Sequence, residues 1–239
     1  TSMAAPNAAG ASVLIREYLM EVAGRPSPQG ALIKGMLILG AEDTGSRDIP
    51  NMNEGWGRVN LANSLIPGTD TGIWVDDRNT VRSGQTREYQ FNLSRGNTPF
   101  KAVLTWSDYP GSTWSSTQLQ NNLDMVITAP DGTIYKGNDF ANGRSTTGGD
   151  ADNLNNVEVV LIDQADSGVW TVQITDVAHG GQRSDQPFAL AVRGAGVNDL
   201  RSDPLPIPLS FELSTAIPQV NEVCQISIQI ENQGGGRAD

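Results

Sequence analysis

Two groups of residues have the types and spacing for chemistry. The first is a single hydroxyl, Ser2, in the run Thr1-Ser2-Met3-Ala4-Ala5-Pro6-Asn7-Ala8-Ala9-Gly10-Ala11. Pro6 lacks a backbone N–H and is tolerated only in the first turn of a helix, where that donor would be free in any case. A helix is therefore expected to begin near Ser2. Ala8, Ala11, Val13, Leu14, Ile15, Tyr18, Leu19 and Val22 continue it at helical spacing, and Gly24 and Pro26 stop it. The free N–H groups and positive dipole end of such a helix would stabilise negative charge developing beside Ser2, which is the need of an acyl-transfer nucleophile. A rival nucleophile is Thr1, activated by its own α-amine. That chemistry needs a strand at the start, and a helix with Pro6 in its first turn is the wrong setting.

The second group is a surplus of oxygen ligands. Asp108, Asn121, Asn122 and Asp124 precede or open one expected strand, while Asn138, Asp139, Asp150, Asp152, Asn153, Asn155, Asn156 and Glu158 crowd the stretch before another. Calcium takes roughly six to eight oxygens from such carboxylates, amides and carbonyls, and it ties down loops too long to order themselves. At least one structural calcium is expected, with Asp108, Asp124, Asp139, Asp150, Asp152, Asn155 and Glu158 as candidate ligands. EF-hand spacing is absent. The plain alternative is that Asn and Asp serve here as turn formers in a solvated loop.

Other chemistry-bearing residues read as structural. His179, the only histidine, lies in His179-Gly180-Gly181-Gln182, a turn between two late strands, and is expected at the surface. Cys224 is the only cysteine, so no disulfide within the chain and no zinc cluster can form, and it reads as a small core residue. Formal net charge is −11, with only three lysines, Lys34, Lys101 and Lys136. That balance argues against nucleic acid as a partner. No apolar stretch approaches the ~20 residues of a membrane span.

The elements that must position these groups fall into two kinds. After the first helix, residues 31–41 read as a second one, with Ser27 as a plausible cap and Pro28 in its first turn. A short third helix follows at 61–65 after Gly55-Trp56-Gly57-Arg58-Val59-Asn60, where Trp56 is expected to anchor by packing. From about residue 72 to 195 the period becomes alternating, with turn residues every eight to twelve positions. Eight strands are expected, at 72–76, 85–93, 100–107, 123–129, 133–136, 157–162, 168–175 and 188–193. Asp131-Gly132 marks a tight hairpin turn between two of them. Eight strands so spaced suggest a β-sandwich or jelly roll. Three prolines at 204, 206 and 208 make a stiff linker, and alternation resumes at 209–214 and 222–231.

Thr1 to Pro6 closely resembles the nucleophile segment of the subtilisin-like serine proteases, whose pattern reads Gly-Thr-Ser-Met-Ala-x-Pro before a small-residue helix. Gly55 to Asn60 is similar to the motif preceding the last catalytic-domain helix of that family. Ala102-Val103-Leu104-Thr105-Trp106-Ser107-Asp108, Asn121-Asn122-Leu123-Asp124-Met125, Ala129-Pro130-Asp131-Gly132, Asn153-Leu154-Asn155-Asn156-Val157-Glu158 and Pro187-Phe188-Ala189-Leu190 resemble the C-terminal β-barrel of its bacterial alkaline members. This resemblance implies that Ser2 is the catalytic nucleophile, acting on protein or peptide substrates. It places the triad Asp and His, and the second oxyanion donor, before Thr1 in a missing N-terminal part of the catalytic domain. It also implies secretion.

The expected architecture is thus an α+β fragment. Residues 1–68 would be the C-terminal helices of a subtilisin-like α/β domain, and 69–196 an all-β jelly-roll domain that braces it. Residues 197–208 would be a linker, and 209–239, which resembles a bacterial adhesion module, the start of an immunoglobulin-like unit. Both ends are expected to be cut. The competing class is a non-catalytic jelly roll that binds glycan or protein surfaces. For that role Trp114 is the tryptophan expected to face solvent, with Trp74, Trp106 and Trp170 in the core.

Overall fold

The computed structural model describes residues 2–66, 68, 70–114, 118–180 and 185–199, together with two short strands at 210–213 and 226–229. Cys224 and most of the expected linker lie outside the described residues. In chain order the elements are α1 (Ala4–Glu21), α2 (Gly30–Gly40), α3 (Leu61–Leu65), β1 (Thr71–Asp76), β2 (Thr80–Val81), β3 (Thr86–Leu93), β4 (Thr98–Trp106), β5 (Asn121–Thr128), β6 (Ile134–Lys136), β7 (Phe140–Ala141), β8 (Arg144–Ser145), β9 (Val157–Ala165), β10 (Gly168–His179), β11 (Gln186–Ala195) and β12 (Asn198–Asp199). A last pair, β13 (Ser210–Leu213) and β14 (Ile226–Gln229), is antiparallel and separate from the rest. The fold is β-rich with few helices.

Two antiparallel sheets hold most of the chain. One has the order β1-β11-β4-β9 with β2 also paired to β11, and the other has the order β12-β3-β10-β5-β6. Neither sheet closes into a barrel among the described residues. The alternation that marks the strands in sequence reappears as burial: Leu123, Met125 and Ile127 of β5 are buried while Asp124, Val126 and Thr128 are not fully so. Phe100, Ala102, Leu104 and Trp106 of β4 join Phe91, Trp170, Val172, Ile174, Phe188 and Leu190 in one core between the sheets. Trp106 Nε1 donates to the Asn121 carbonyl at 3.0 Å and Trp170 Nε1 to the Asp166 carbonyl at 2.9 Å, so the indoles are buried without an unpaired donor. The Asp131-Gly132 turn forms as expected, with Gly132 at φ +87° and its N–H donating to Ala129 O at 2.9 Å.

The first sheet is covered on its other face as well. Ile15 and Leu19 of α1, and Leu32, Met36 and Leu39 of α2, form a second core with Ile73, Val75, Val103, Val159, Ala189 and Ala191. This explains why β4 is buried along nearly its whole length and why its sequence alternates so weakly. Polar side chains on the helix-facing side of β4 bond to carbonyls of α2 itself. Thr105 Oγ1 donates to Ala31 O at 2.7 Å and Lys101 Nζ to Ile38 O at 2.5 Å.

The entry to α2 differs from expectation. The helix begins at Gly30 with Gln29 as its extended N-cap, so Ser27 and Pro28 lie before it, and no side chain of the helix caps itself. Asp77 at the end of β1 does the work instead: it accepts from Gln29 N at 2.8 Å and pairs with the buried Arg25. Arg25 also donates to Val75 O at 2.5 Å. The loop between α1 and α2 is thereby fastened to the first sheet, a tertiary solution invisible to local capping rules.

At the other end of α2, Gly40 packs directly on α3. A Cβ there would lie 2.5 Å from Asn60 O and collide with the Ser64 hydroxyl. That hydroxyl is buried and donates to Met36 O at 2.8 Å. Gly40→Ala is therefore expected to destabilise the protein by roughly 2–3 kcal/mol through overpacking, measured as a lowered urea midpoint with unchanged slope. An unaltered midpoint would mean that α3 does not pack as described.

Candidate functional site

Ser2 is exposed and lies immediately before α1, whose N-cap is Met3. The N-cap Met3 makes no side-chain hydrogen bond and the first turn carries no acidic residue, so neither of these local features consumes the leading amides. Pro6 falls in the first turn, as its missing donor requires. Only Ala11, Ile15 and Leu19 of α1 are buried, a single stripe along eighteen residues. Val13 and Leu14 are 64% and 50% exposed. His179 ends β10, paired with Asn121 in the second sheet, whereas α1 adjoins α2 and α3 on the outer side of the first sheet. The lone histidine is thus placed on an element remote in topology from Ser2.

The seven expected calcium ligands do not converge as one group. Asp108 accepts from Gln120 N and Asn121 N at 2.6 and 2.9 Å and fixes the chain entering β5. Asp150 and Asn155 are exposed. Asp139 accepts from Gly149 N at 2.9 Å, while Lys136 Nζ donates to Gly149 O at 2.9 Å, which closes the loop after β6. Asp152 acts as a turn residue: it accepts from Leu154 N at 2.8 Å and from Asn155 Nδ2 at 2.7 Å. To that extent the oxygen-rich residues form turns.

A subset remains that turn formation does not explain. Glu158 lies in β9 and is 1% exposed, with one carboxylate oxygen accepting from Met125 N at 2.5 Å. The other oxygen, and the buried Oδ1 of Asn122, have no hydrogen-bond partner among the described residues. Burial pushes the Glu158 carboxyl well above its usual range, and the negative charges of Asp124 and Asp152 push it further. Asp124 is raised for the same reasons, chiefly its own burial, with Lys136 opposing. Asn138 ties the group together, donating to Asp152 at 2.5 Å and to Val157 O at 2.7 Å and accepting from Val159 N at 3.0 Å. The set is all oxygen, and it leaves one buried carboxylate oxygen of Glu158 without a hydrogen-bond partner among the described residues.

Another acidic group was not anticipated from sequence. Asp43, Asp48 and Glu54 bring carboxylate oxygens within 4.8 Å of one another in the loop after α2. Glu54 accepts from Thr44 and Asn51, Asp48 accepts from Asn51 at 2.9 Å, and Asp43 faces Arg144 at 3.9 Å. Glu54 and Asp48 brace that loop from within, whereas both carboxylate oxygens of Asp43 are buried without a hydrogen-bond partner among the described residues. Trp56 in the same loop packs edge-on against Phe140 of β7, with ring centroids 5.8 Å apart. Its anchoring therefore reaches the β layer.

No family model matches the chain. The chain is similar to the serine protease/ABC transporter B family protein tagA of Dictyostelium discoideum, with 28% identity over 227 residues. The match covers 85% of this chain but only 12% of that relative. Among solved structures, a protein of Sulfurospirillum deleyianum aligns with 52% of this chain and 96% of its own, at 9% identity and TM-score 0.28. PliG, a periplasmic inhibitor of g-type lysozyme from Aeromonas hydrophila, aligns with 54% of this chain and 93% of its own, at 16% identity and TM-score 0.27. Scores that low bear on neither the fold nor the site.

The four tryptophans weighed for surface binding separate clearly. Trp106 and Trp170 are buried, Trp74 packs partly buried on the core between the sheets, and Trp114 is 96% exposed. No described helix is long and apolar enough to cross a membrane.

Proposed function

We propose that the chain is a protease-related segment of a longer, secreted, subtilisin-like serine endopeptidase, in which Ser2 is the nucleophile. The observation that carries this reading is the Thr-Ser-Met-Ala-x-Pro pattern with its serine exposed at the start of a helix whose N-cap, Met3, makes no side-chain bond. Similarity to a protein named as a serine protease, across most of this chain, supports it. In the working enzyme a histidine takes the proton of Ser2 as it attacks the scissile carbonyl, and an acid orients that histidine. Both come from residues outside this sequence. The backbone N–H of Ser2 contributes to oxyanion binding, and α1 directs its positive end at the same charge. The exposed flank of α1, with Val13 and Leu14, is the surface the rest of the catalytic domain covers. The two-sheet unit braces that domain from below, through α2.

A structural calcium belongs to the same reading, held by Glu158 and Asp124 with Asp152 and Asn122 nearby. It would supply positive charge to carboxylates that otherwise crowd one another. A second reading, surface binding by the β unit, is favoured only by the exposed Trp114.

Two experiments test this. A fluorophosphonate probe is expected to label the full-length parent protein at Ser2, and Ser2→Ala to abolish both labelling and peptidase activity. The 239-residue chain alone should neither label nor hydrolyse peptides. Labelling of the parent at another serine would refute the assignment. For the metal, calcium at about a hundredfold excess over its Kd is expected to stabilise the chain by about 2.7 kcal/mol. Glu158→Gln should remove that gain while leaving the chelated protein no less stable, since an amide needs no counter-charge. A melting midpoint indifferent to excess chelator would eliminate the calcium.

A further inference from the structure

A cavity of about 450 Å³ lies where the end of α2 and the following loop meet the first sheet. Its lining joins two kinds of surface. Leu39, Ile49 and Leu161 supply an apolar wall, and Lys101, Arg144 and Arg193 supply cations. In a chain of net charge −11 with three lysines, that concentration needs a reason.

The cations are not all neutralised. Arg144 Nε pairs with Asp163 at 2.5 Å, and its other side faces Asp43 at 3.9 Å. Arg95 on the rim pairs with Asp70 at 3.1 Å. Arg193 donates to Asn63 Oδ1 at 3.2 Å, but its buried Nε has no hydrogen-bond partner among the described residues. Glu42 attracts Arg193, yet Glu42 already accepts from Arg58, Asn60 and Asn63. Lys101 is 6% exposed and forms no ion pair among the described residues. Its Nζ reaches Ile38 O at 2.5 Å and Ala41 O at 3.4 Å, which leaves one of three donors unspent.

We infer that this cavity binds a small carboxylate with a short apolar tail, its anionic head between Lys101 and Arg193 and its tail against Leu39, Ile49 and Leu161. A dianion such as phosphate is disfavoured, because Glu42 and the buried carboxylate of Asp43 also line the cavity and half of the wall offers it nothing. The Lys101 amine is lowered to about 7, first by burial and then by the guanidinium charges of Arg193 and Arg144. The groups facing it are those two arginines from β11 and β8, with Glu42 and Asp43 from the loop after α2 and Arg95 from the turn before β4. A bound carboxylate favours the protonated amine, so affinity falls as pH rises through about 7.

The test is calorimetric titration of the whole chain with hexanoate at about pH 6 and about pH 8.5, at constant ionic strength. Hexanoate is expected to bind saturably at the lower pH and about tenfold more weakly at the higher, as Lys101 loses its proton. Hexan-1-ol and inorganic phosphate should not saturate. Arg193→Gln, which keeps an amide donor, should weaken hexanoate at least about tenfold, the cost of one charge-assisted contact. Lys101→Met should abolish the pH dependence. Absence of saturable binding at the lower pH, tighter binding of phosphate, or equal affinity in both variants would overturn the assignment.

Discussion

The packing of α2 on the outer face of β4 is the contact on which the rest depends. A β-sheet needs an apolar cover on each hydrophobic face, and the first sheet has two such faces. The second sheet covers one, with Phe91, Met125 and Trp170 packed in one core with Phe100, Leu104 and Trp106 of β4. The helices cover the other, with Met36 and Leu39 over Val103 and Ala189. Gly35 permits the approach: a Cβ there would lie 3.0 Å from Thr105 Oγ1. Thr105 near one end of α2 and Lys101 near the other bond to helix carbonyls, so the strand's polar positions fix the helix along its length.

Several buried charges follow from this geometry. Lys101 is buried because α2 lies over it, and Arg25 and Asp77 are buried because the turn leading into α2 must reach the end of β1. Each is a group that loses water when the helix docks and gains backbone or ionic partners from the same docking, although Arg25 Nε and one donor of Lys101 stay unpaired among the described residues. The position of α1 is set in turn by α2, with which it packs through Ile15 and Leu19. The exposure of Ser2 at the head of α1 is thus fixed through a chain of packing that begins on the β unit. Glu158 belongs to a different balance: it joins β9 to the backbone of β5 across the two sheets while keeping one oxygen unpaired.

Much of the secondary structure was legible in the sequence for physical reasons. Every one of the eight expected strands is present, because period-two alternation survives wherever one face is buried, as along β5. The strands not anticipated, β2, β7, β8 and β12, are two residues long, too short to carry a period. Helix starts were less legible. Ser27 and Pro28 are good local signals, yet Asp77, about fifty positions away, settles where α2 begins. The candidate ligands were legible by type and not by convergence: Asp108 and Asp139 hold backbone amides, whereas Glu158, inside the expected strand 157–162 but grouped with the oxygen-rich loop before it, is a buried residue of β9. The signal for Lys101 was present in Phe100-Lys101-Ala102-Val103-Leu104-Thr105-Trp106, where a strand with almost no polar face implies cover on both sides. A lysine inside such a run must be buried with it.

Shared burial of the first sheet implies that the helices and the two sheets open together. Native-state hydrogen exchange across a denaturant series tests this directly. The amides of Met36 and Leu39 in α2 and of Val103 and Leu104 in β4 are expected to converge on one opening free energy, equal to that of global unfolding. Exchange of the α2 amides through a smaller, denaturant-independent opening, with β4 still protected at the global value, would contradict it.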